Sequence, residues 1–134
     1  MLVYICHRHD EYARTLFPLA QPLDFIGPLD IFNSTLRYPS SDSDPDPPFQ
    51  ITCIILSTTL EPVQCDSGLV VVPDMTYDAA EKEGEKWDAV LVPGGRGVRP
   101  EMPGKDRTIE FLRRVVPDCR FVLSGKFRLG WASG

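Results

Sequence analysis

Short runs of apolar residues, separated by polar segments, dominate the pattern of the chain. Three of these runs are FQITCIILS, WDAVLVPGG and RFVL, and each is rich in β-branched or other apolar residues. Short runs of this kind are typical of strands that are buried on both faces of a parallel sheet. We therefore expect parallel strands near residues 51–56, 88–92 and 120–123.

Apolar residues at helical spacing occupy two other segments. One helix is predicted from Phe25 onward, with Pro28 in its first turn, where proline is tolerated. Its apolar positions are Phe25, Leu29, Phe32 and Leu36. A second helix is predicted over residues 106–116 and ends at Pro117. Its apolar face is formed by Ile109, Leu112, Val115 and Val116. The segment MTYDAAEKEGEK suits a short polar helix.

Strands that alternate with helices predict βαβ units and an α/β fold with a mostly parallel sheet. The first strand is either residues 1–6 or residues 12–17, and the pattern does not decide between them. A turn at residues 66–68 is predicted between two short strands. The acidic, proline-rich segment 39–48 is predicted to be a disordered surface loop.

Length and composition are those of one globular domain over residues 1–134. The chain has 43% hydrophobic and 25% charged residues, and its net charge of −5 gives no general attraction to nucleic acid or anionic lipid. Basic residues are concentrated in residues 96–134, where a solvated helix face is a simpler explanation than an anion site. No apolar run approaches the roughly 18 residues that cross a membrane. The four cysteines form neither a CxxC pair nor a disulfide-dense pattern, so we expect a cytoplasmic protein. Cys53 is expected in the core and Cys65 on a half-buried strand.

Four motif-like fragments are incomplete. GRGVRP has proline where a dinucleotide-binding loop needs its last glycine, and SGKF has phenylalanine where a P-loop needs serine or threonine. DSDPDPP has carboxylates at calcium-loop spacing but proline at the required glycine position. CHRHD offers several ligand types, yet nothing distant completes a set, and an exposed polar loop is the simpler interpretation. The sequence therefore predicts no metal and no cofactor.

The glycine pair after the strand near 88–92 is a stronger candidate site. Gly94 and Gly95 follow a buried strand, and glycine allows the backbone to approach a ligand closely and to adopt a positive φ. Two backbone N–H groups aimed at one point are what an oxyanion hole requires. The alternative is an ordinary turn between the strand and a loop.

The chain also contains three longer segments, in this order: LFPLAQPLDFIGPLDIFN, CDSGLVVVPDMTY and WDAVLVPGG. Their order and spacing resemble the ThiJ/PfpI family, whose members are similar in fold to class I glutamine amidotransferases. The helix start, with Leu23-Asp24 and Gly27-Pro28, resembles most the branch that contains isonitrile hydratases and their fungal relatives. The resemblance covers residues 15–134. It implies a flavodoxin-like fold, with helices on both faces of the sheet and a cysteine nucleophile where a strand turns into a helix.

The resemblance also implies roles for three residues. Asp24 matches the acidic residue that hydrogen-bonds the nucleophilic thiol and relays a proton. Gly94 and Gly95 match the glycines whose amides face the developing oxyanion, which is the role that their position indicates independently. We therefore expect Asp24 to meet the glycine pair at the carboxyl edge of the sheet. The alternative for Asp24 is a carboxylate at a helix N-terminus, stabilised by the helix dipole, and one group can serve both purposes. No cofactor or metal is implied.

The chain departs from the family pattern at the turn from strand to helix. Relatives have a VCTG-like segment there, whereas FVLS passes directly to GKFRLG, so that three residues are missing, the nucleophilic cysteine among them. Cys119 lies about 16 Å before Ser124 along a strand, toward the opposite edge of the sheet. Ser124 is nearer but lacks a base, because the only histidines, His7 and His9, lie near the N-terminus.

The resemblance extends to only the N-terminal part of a family domain. We therefore expect a C-terminally truncated domain, explained by a truncated or mis-spliced gene model, whose uncovered apolar surface leads to a homodimer or to aggregation. The expected function is that of a relative of cysteine-dependent small-molecule hydratases or hydrolases, inactive as written. The alternative is a non-catalytic module for small-molecule binding, regulation or dimerisation. Neither nucleic acid nor a membrane is expected as a partner.

Overall fold

A computed structural model describes residues 10–37, 51–84, 86–99 and 105–125. The strands are β1 (Asp10–Thr15), β2 (Ile51–Ser57), β3 (Val63–Gln64), β4 (Val70–Val71), β5 (Met75–Thr76), β6 (Ala89–Val92) and β7 (Phe121–Ser124). The helices are α1 (Leu23–Arg37), α2 (Tyr77–Glu83) and α3 (Lys105–Val115). Two 3-10 turns cover Arg96–Val98 and Val116–Asp118. The loop predicted at residues 39–48 lies outside the described residues.

The main sheet has five parallel strands in the order β5-β2-β1-β6-β7. This arrangement is an α/β, flavodoxin-like fold and confirms the predicted fold class. Because all five strands run in the same direction, their carboxyl ends share one edge of the sheet, which is where sites of open α/β sheets form. The segments that follow β1, β6 and β7 therefore start side by side.

The three predicted parallel strands are confirmed as β2, β6 and β7, with ends that differ by no more than one residue from the prediction. The first described strand, β1, overlaps the candidate at residues 12–17, whereas residues 1–6 lie outside the described residues. The turn predicted at residues 66–68 is also confirmed, since β3 and β4 pair antiparallel on its two sides.

The first helix begins earlier than predicted. α1 starts at Leu23 and not at Phe25, so that Pro28 lies in its second turn. The prediction of Pro28 in the first turn is therefore wrong, because the helix gains two residues on its N-terminal side. Asp24 now occupies the first turn, where a carboxylate is favoured by the partial positive charge of the helix end.

The other two helices have the predicted positions. α2 is capped by Thr76, whose hydroxyl accepts a hydrogen bond of 3.1 Å from the Ala79 N–H, and Gly84 ends it with a φ of 70°. Both are usual cap chemistries. α3 passes into a 3-10 turn that contains Pro117, so the helix ends where proline was expected to end it.

Helices cover both faces of the sheet. Val90 of β6 packs in one core cluster with Tyr77 of α2 and Phe111 of α3. Its neighbour Leu91 packs in another cluster with Phe25 of α1. Successive strand residues point to opposite faces, so α1 lies on one side of the sheet and α2 and α3 lie on the other.

Two buried hydroxyl groups fix the carboxyl ends of the central strands relative to one another. Thr15 Oγ1 donates to the Leu91 carbonyl at 3.0 Å, and Ser57 Oγ donates to the Leu16 carbonyl at 2.8 Å. The first bond joins β1 to β6, and the second joins β2 to the residue that follows β1. These bonds hold the edge of the sheet from which the candidate site is built.

Basic residues of α3 form ion pairs with acidic residues, most of them on α2. Arg107 bonds the carboxylates of Asp78 at 2.6 Å and Glu81 at 2.9 Å, and Arg114 bonds Glu81 at 2.8 Å. Arg114 also pairs with Glu110 on its own helix. The expected solvated helix face is thus only partly correct, because Arg107 has just 21% of its side chain exposed and links two helices.

Candidate functional site

Asp24 and Gly94 meet at the carboxyl edge of the sheet, as predicted. The Gly94 N–H donates a hydrogen bond of 2.8 Å to Asp24 Oδ2, although 70 residues separate the two in sequence. The contact is far inside the limit of about 10 Å that one bridging group could span. The predicted juxtaposition of helix α1 and the glycine pair is therefore confirmed, whereas the catalytic role of these residues stays a prediction.

The two glycine amides differ in what they contact. The Gly94 N–H is taken by Asp24, and the Gly94 carbonyl accepts from the Gln21 N–H at 2.8 Å. Within the described part of the chain, no acceptor contacts the Gly95 N–H. Of the two donors expected for an oxyanion hole, one already stabilises the Asp24 carboxylate and one remains for a ligand.

Glycine is required at position 95 by both conformation and space. Gly95 has a φ of 121° and forms an antiparallel bridge with Ala20. A Cβ built on Gly95 would lie 2.4 Å from the Leu19 carbonyl oxygen and 2.7 Å from the Gln21 nitrogen, both of which are backbone atoms. A side chain here would therefore push apart the two segments that form the site.

A turn at the end of β1 brings Ala20 and Gln21 to this position. The Ala20 N–H donates to the Phe17 carbonyl at 3.1 Å, and between them Leu19 has a φ of 61°. Only glycine and asparagine adopt such a φ readily, so Leu19 is held by its surroundings. Its N–H donates to the Gln64 carbonyl at 2.9 Å, and its own carbonyl accepts from the Gly97 N–H at 3.2 Å.

The hairpin of β3 and β4 closes the other side of this segment. The Asp66 N–H donates to the Ala20 carbonyl at 2.9 Å, and the Asp66 carboxylate accepts from Arg96 Nε at 2.5 Å. Arg96 directly follows the glycine pair. The turn after β1, the β3–β4 hairpin and the segment that follows β6 are thus joined around Ala20. The sequence pattern did not indicate a role for Leu19, Arg96 or the Asp66 carboxylate, and Pro18 at the second turn position was the one available signal for the turn.

Ser124 lies at the same edge of the sheet. It is opposite Val92 in the pairing of β7 with β6, and the following Gly125 N–H donates to the Val92 carbonyl at 3.0 Å. Since Gly94 comes two residues after Val92, the end of β7 is next to the glycine pair. His7 and His9 lie outside the described residues, and within the described ones no histidine is present to act on Ser124.

Cys119 lies at the opposite edge of the sheet. It precedes β7, whereas Ser124 ends it, so the expected separation is confirmed. Burial raises the pKa of Cys119 to about 11, with further contributions from Asp118 and Asp88. A thiol with such a pKa holds its proton at neutral pH and is a poor nucleophile.

The two remaining described cysteines have the reverse of their expected burial. Cys53 was predicted in the core and Cys65 on a half-buried strand, but Cys65 is buried and Cys53 is only partly so. The prediction is wrong because the β3–β4 hairpin folds inward, which packs Cys65 into the cluster of Ala20 and Phe25. Burial also raises the pKa of the Cys65 thiol.

No cluster of three or more His, Cys, Asp or Glu side chains suited to a metal ion occurs among the described residues. The CHRHD and DSDPDPP segments lie almost wholly outside them. In the same described ranges, none of the helices is long and apolar enough to cross a membrane.

Comparison with known proteins identifies the family. Residues 15–124 match the sequence model of the DJ-1/PfpI family, and the chain belongs to that family. The chain is 31% identical over 109 residues to an isonitrile hydratase of Pseudomonas putida, in a match that covers 81% of this chain and 40% of that protein.

Solved structures with the same fold are similar over most of this chain. A ThiJ/PfpI family protein from Pseudomonas syringae has a TM-score of 0.63 and 20% identity, over 87% of this chain and 41% of that one. A ThiJ/PfpI family protein from Bacillus anthracis has a TM-score of 0.61 and 18% identity, over 87% of this chain and 50% of that one. The chain thus spans half or less of the length of each of these relatives, and the structural likenesses show the fold.

Proposed function

We propose that the chain is a relative of cysteine-dependent small-molecule hydratases or hydrolases of the isonitrile hydratase kind, and that it lacks thiolate-dependent turnover as its sequence stands. The observation that carries this proposal is the register of β7 against β6. It places the end of β7, where the family nucleophile would follow, beside Gly94, and that position holds Ser124-Gly125 without a thiol. No cysteine occurs after Cys119 in the sequence.

The chemistry proposed for the family site is thiolate attack on a small electrophile. Asp24 would relay the proton, and the glycine amides would stabilise the charge that develops on the substrate. The bond from the Gly94 N–H to Asp24 supports an anchored position for the carboxylate. Because the Gly94 N–H already bonds Asp24, the Gly95 N–H is the amide that would donate a hydrogen bond to the substrate.

Insertion of Val-Cys-Thr between Ser124 and Gly125 tests the proposal. We expect the natural chain to show no isonitrile hydration above background and the insertion variant to show it, because the insertion restores a thiol to the framework of Asp24 and Gly95. Insertion of Val-Ser-Thr is the matched control, since it lengthens the turn equally without supplying a thiol. Asp24→Asn in the active variant should then lower turnover.

Turnover by the natural chain would contradict the proposal. Loss of that turnover in Ser124→Ala would identify the serine as nucleophile, and loss in Cys119→Ser would mean that the thiol acts in spite of its position before β7. Absence of turnover in the Val-Cys-Thr variant, with its fold shown to be intact, would also count against the proposed framework.

A second proposal is a non-catalytic module that binds a small molecule, and the Gly95 N–H supports it. In the described part of the chain this donor has no acceptor and lies at the same edge as Asp24. A ligand could be recognised there without a nucleophile. Binding of a small amide, measured by calorimetry and weakened by Asp24→Asn, distinguishes this module from an inert fold.

Cys65 and Cys119 are free thiols, which supports the proposed cytoplasmic location. Nucleic acid is not proposed as a partner because of the net charge of −5.

A further inference from the structure

A cavity of about 440 Å³ lies between α2 and α3, away from the candidate site. Trp87 lines it just before β6, and Asp118 lines it just before β7. It therefore opens at the amino ends of these strands, whereas Asp24, Gly94 and Ser124 lie at the carboxyl ends. The four residues of β6 span about 13 Å, so one small molecule would not occupy both places.

The floor of the cavity is apolar and belongs to the core. Trp87 and Val115 line it, and both pack in the core cluster of Tyr77 and the fully buried Phe111. Tyr77 stacks on Phe111 with ring centroids 4.7 Å apart. A fixed apolar floor of this kind, in a cavity of several hundred Å³, is typical of small-molecule sites.

Four charged side chains form the rim, and they fall into two groups. Glu81 and Arg114 bond each other at 2.8 Å, and each has a further ionic partner. Lys86 and Asp118 belong to no ion pair within the described residues. They stand on two different connections, before β6 and before β7, so the lining carries one positive and one negative charge that have no ionic partner among the described residues.

We propose that this cavity binds a free amino acid with an apolar side chain. The ligand carboxylate would pair with Lys86, its ammonium group with Asp118, and its side chain would lie against Trp87 and Val115. A zwitterion satisfies both rim charges at once. An acid or an amine alone would place a like charge opposite Asp118 or leave Lys86 without a counter-ion, which weakens binding.

Calorimetric titration of the full chain with L-phenylalanine, 3-phenylpropionate and phenethylamine tests the proposal. We expect L-phenylalanine to bind most tightly. Lys86→Gln should weaken L-phenylalanine and 3-phenylpropionate by about threefold to tenfold and leave phenethylamine unchanged. Asp118→Asn should weaken L-phenylalanine and phenethylamine by a similar factor and leave 3-phenylpropionate unchanged.

Exposed residues that do not line the cavity provide matched controls. Lys82→Gln and Asp106→Asn remove the same charges from α2 and α3 and should change no affinity. In a Trp131→Phe variant, Trp87 is the one remaining tryptophan, and its fluorescence should respond to L-phenylalanine. Asp24→Asn should leave this response intact, because it alters the other edge of the sheet.

Four results would overturn the proposal. One is the absence of L-phenylalanine binding up to about 10 mM, a concentration that detects even weak sites. Another is equal binding of the acid or the amine, and a third is binding that neither Lys86→Gln nor Asp118→Asn weakens. Loss of binding in Asp24→Asn would place the amino acid at the carboxyl edge and would equally reject this cavity.

Discussion

The carboxylate of Asp24 and the backbone N–H of Gly94 are joined by a hydrogen bond of 2.8 Å that connects helix α1 to the end of strand β6. A carboxylate in the first turn of a helix is favoured by the helix dipole, and here it also satisfies a buried amide. The residue that the family resemblance marks as a proton relay is thus also a structural link. Mutations of Asp24 must be interpreted for both effects.

Replacement of Asp24 is expected to lower the free energy of unfolding. Asp24→Ala removes a charge-assisted hydrogen bond and leaves the Gly94 N–H without an acceptor, at a cost of about 2 kcal/mol. Asp24→Asn retains an oxygen that can accept the bond and should cost about 1 kcal/mol. Urea unfolding at pH 7 measures both. Asp30→Asn, an exposed change on the same helix, should stay within about 0.5 kcal/mol, and an equal loss in all three variants would refute the bond's contribution.

Gly95→Ala is expected to destabilise the chain much more than Gly68→Ala. Both glycines have a positive φ, but a Cβ on Gly68 meets nothing within 4 Å, whereas a Cβ on Gly95 meets backbone atoms at 2.4 and 2.7 Å. Gly68→Ala should therefore cost about 1 kcal/mol of backbone strain, and Gly95→Ala several times more. Thermal unfolding compares the two variants. Similar unfolding midpoints would show that the backbone at Leu19 moves aside for the added Cβ at little cost in stability.

The sequence predicted those parts of the fold that local patterns determine. The short apolar run before Gly94 is typical of a buried strand, and the apolar spacing that ends at Val116 is typical of a helix. Asp24 and Gly94 were brought together by the family resemblance and by the rule that parallel strands end at one edge. The strand and the helix follow from residues that are close in sequence, whereas the meeting of Asp24 and Gly94 follows from the resemblance and from this rule.

The parts that the sequence did not predict depend on contacts between distant segments. Leu19 adopts a positive φ because Gln64 and Gly97 bond its backbone on two sides, and no local propensity favours that conformation. Cys65 is buried because its hairpin packs against Phe25. The capture of the Gly94 N–H by Asp24 likewise depends on where α1 starts, which the pattern placed two residues too late.

Cys119 is expected to react slowly with iodoacetamide. Its pKa of about 11 leaves a thiolate fraction near 0.001 at pH 8, roughly a hundredfold below that of an unperturbed cysteine. Mass spectrometry of the labelled peptide gives the rate. Asp118→Asn should accelerate the reaction by removal of a nearby negative charge, and Asp106→Asn should leave it unchanged. Labelling of Cys119 at the rate of an unperturbed thiol would make Cys119 a candidate nucleophile again.

Tyr77 is expected to make the chain unstable in alkali. Burial raises its pKa to about 12, although its bond to Thr108 and the nearby Arg107 act in the opposite direction. Because the pKa is higher in the folded state than in the unfolded state, the stabilisation is fully present below pH 10 and is lost as the pH rises toward 12. The difference corresponds to about 3 kcal/mol. Urea unfolding between pH 9 and pH 12 measures this loss.

Tyr77→Phe separates the ionisation of Tyr77 from other alkaline effects. The variant loses the hydroxyl bond of 3.1 Å to Thr108, so it should be less stable by about 1 kcal/mol at pH 8. Its stability should nevertheless fall less steeply than that of the natural chain above pH 10, because phenylalanine has no proton to lose. Cys119 also ionises in this range, so the comparison is made in a Cys119→Ser background. Parallel curves for the two chains would show that the Tyr77 hydroxyl reaches solvent before the fold is lost.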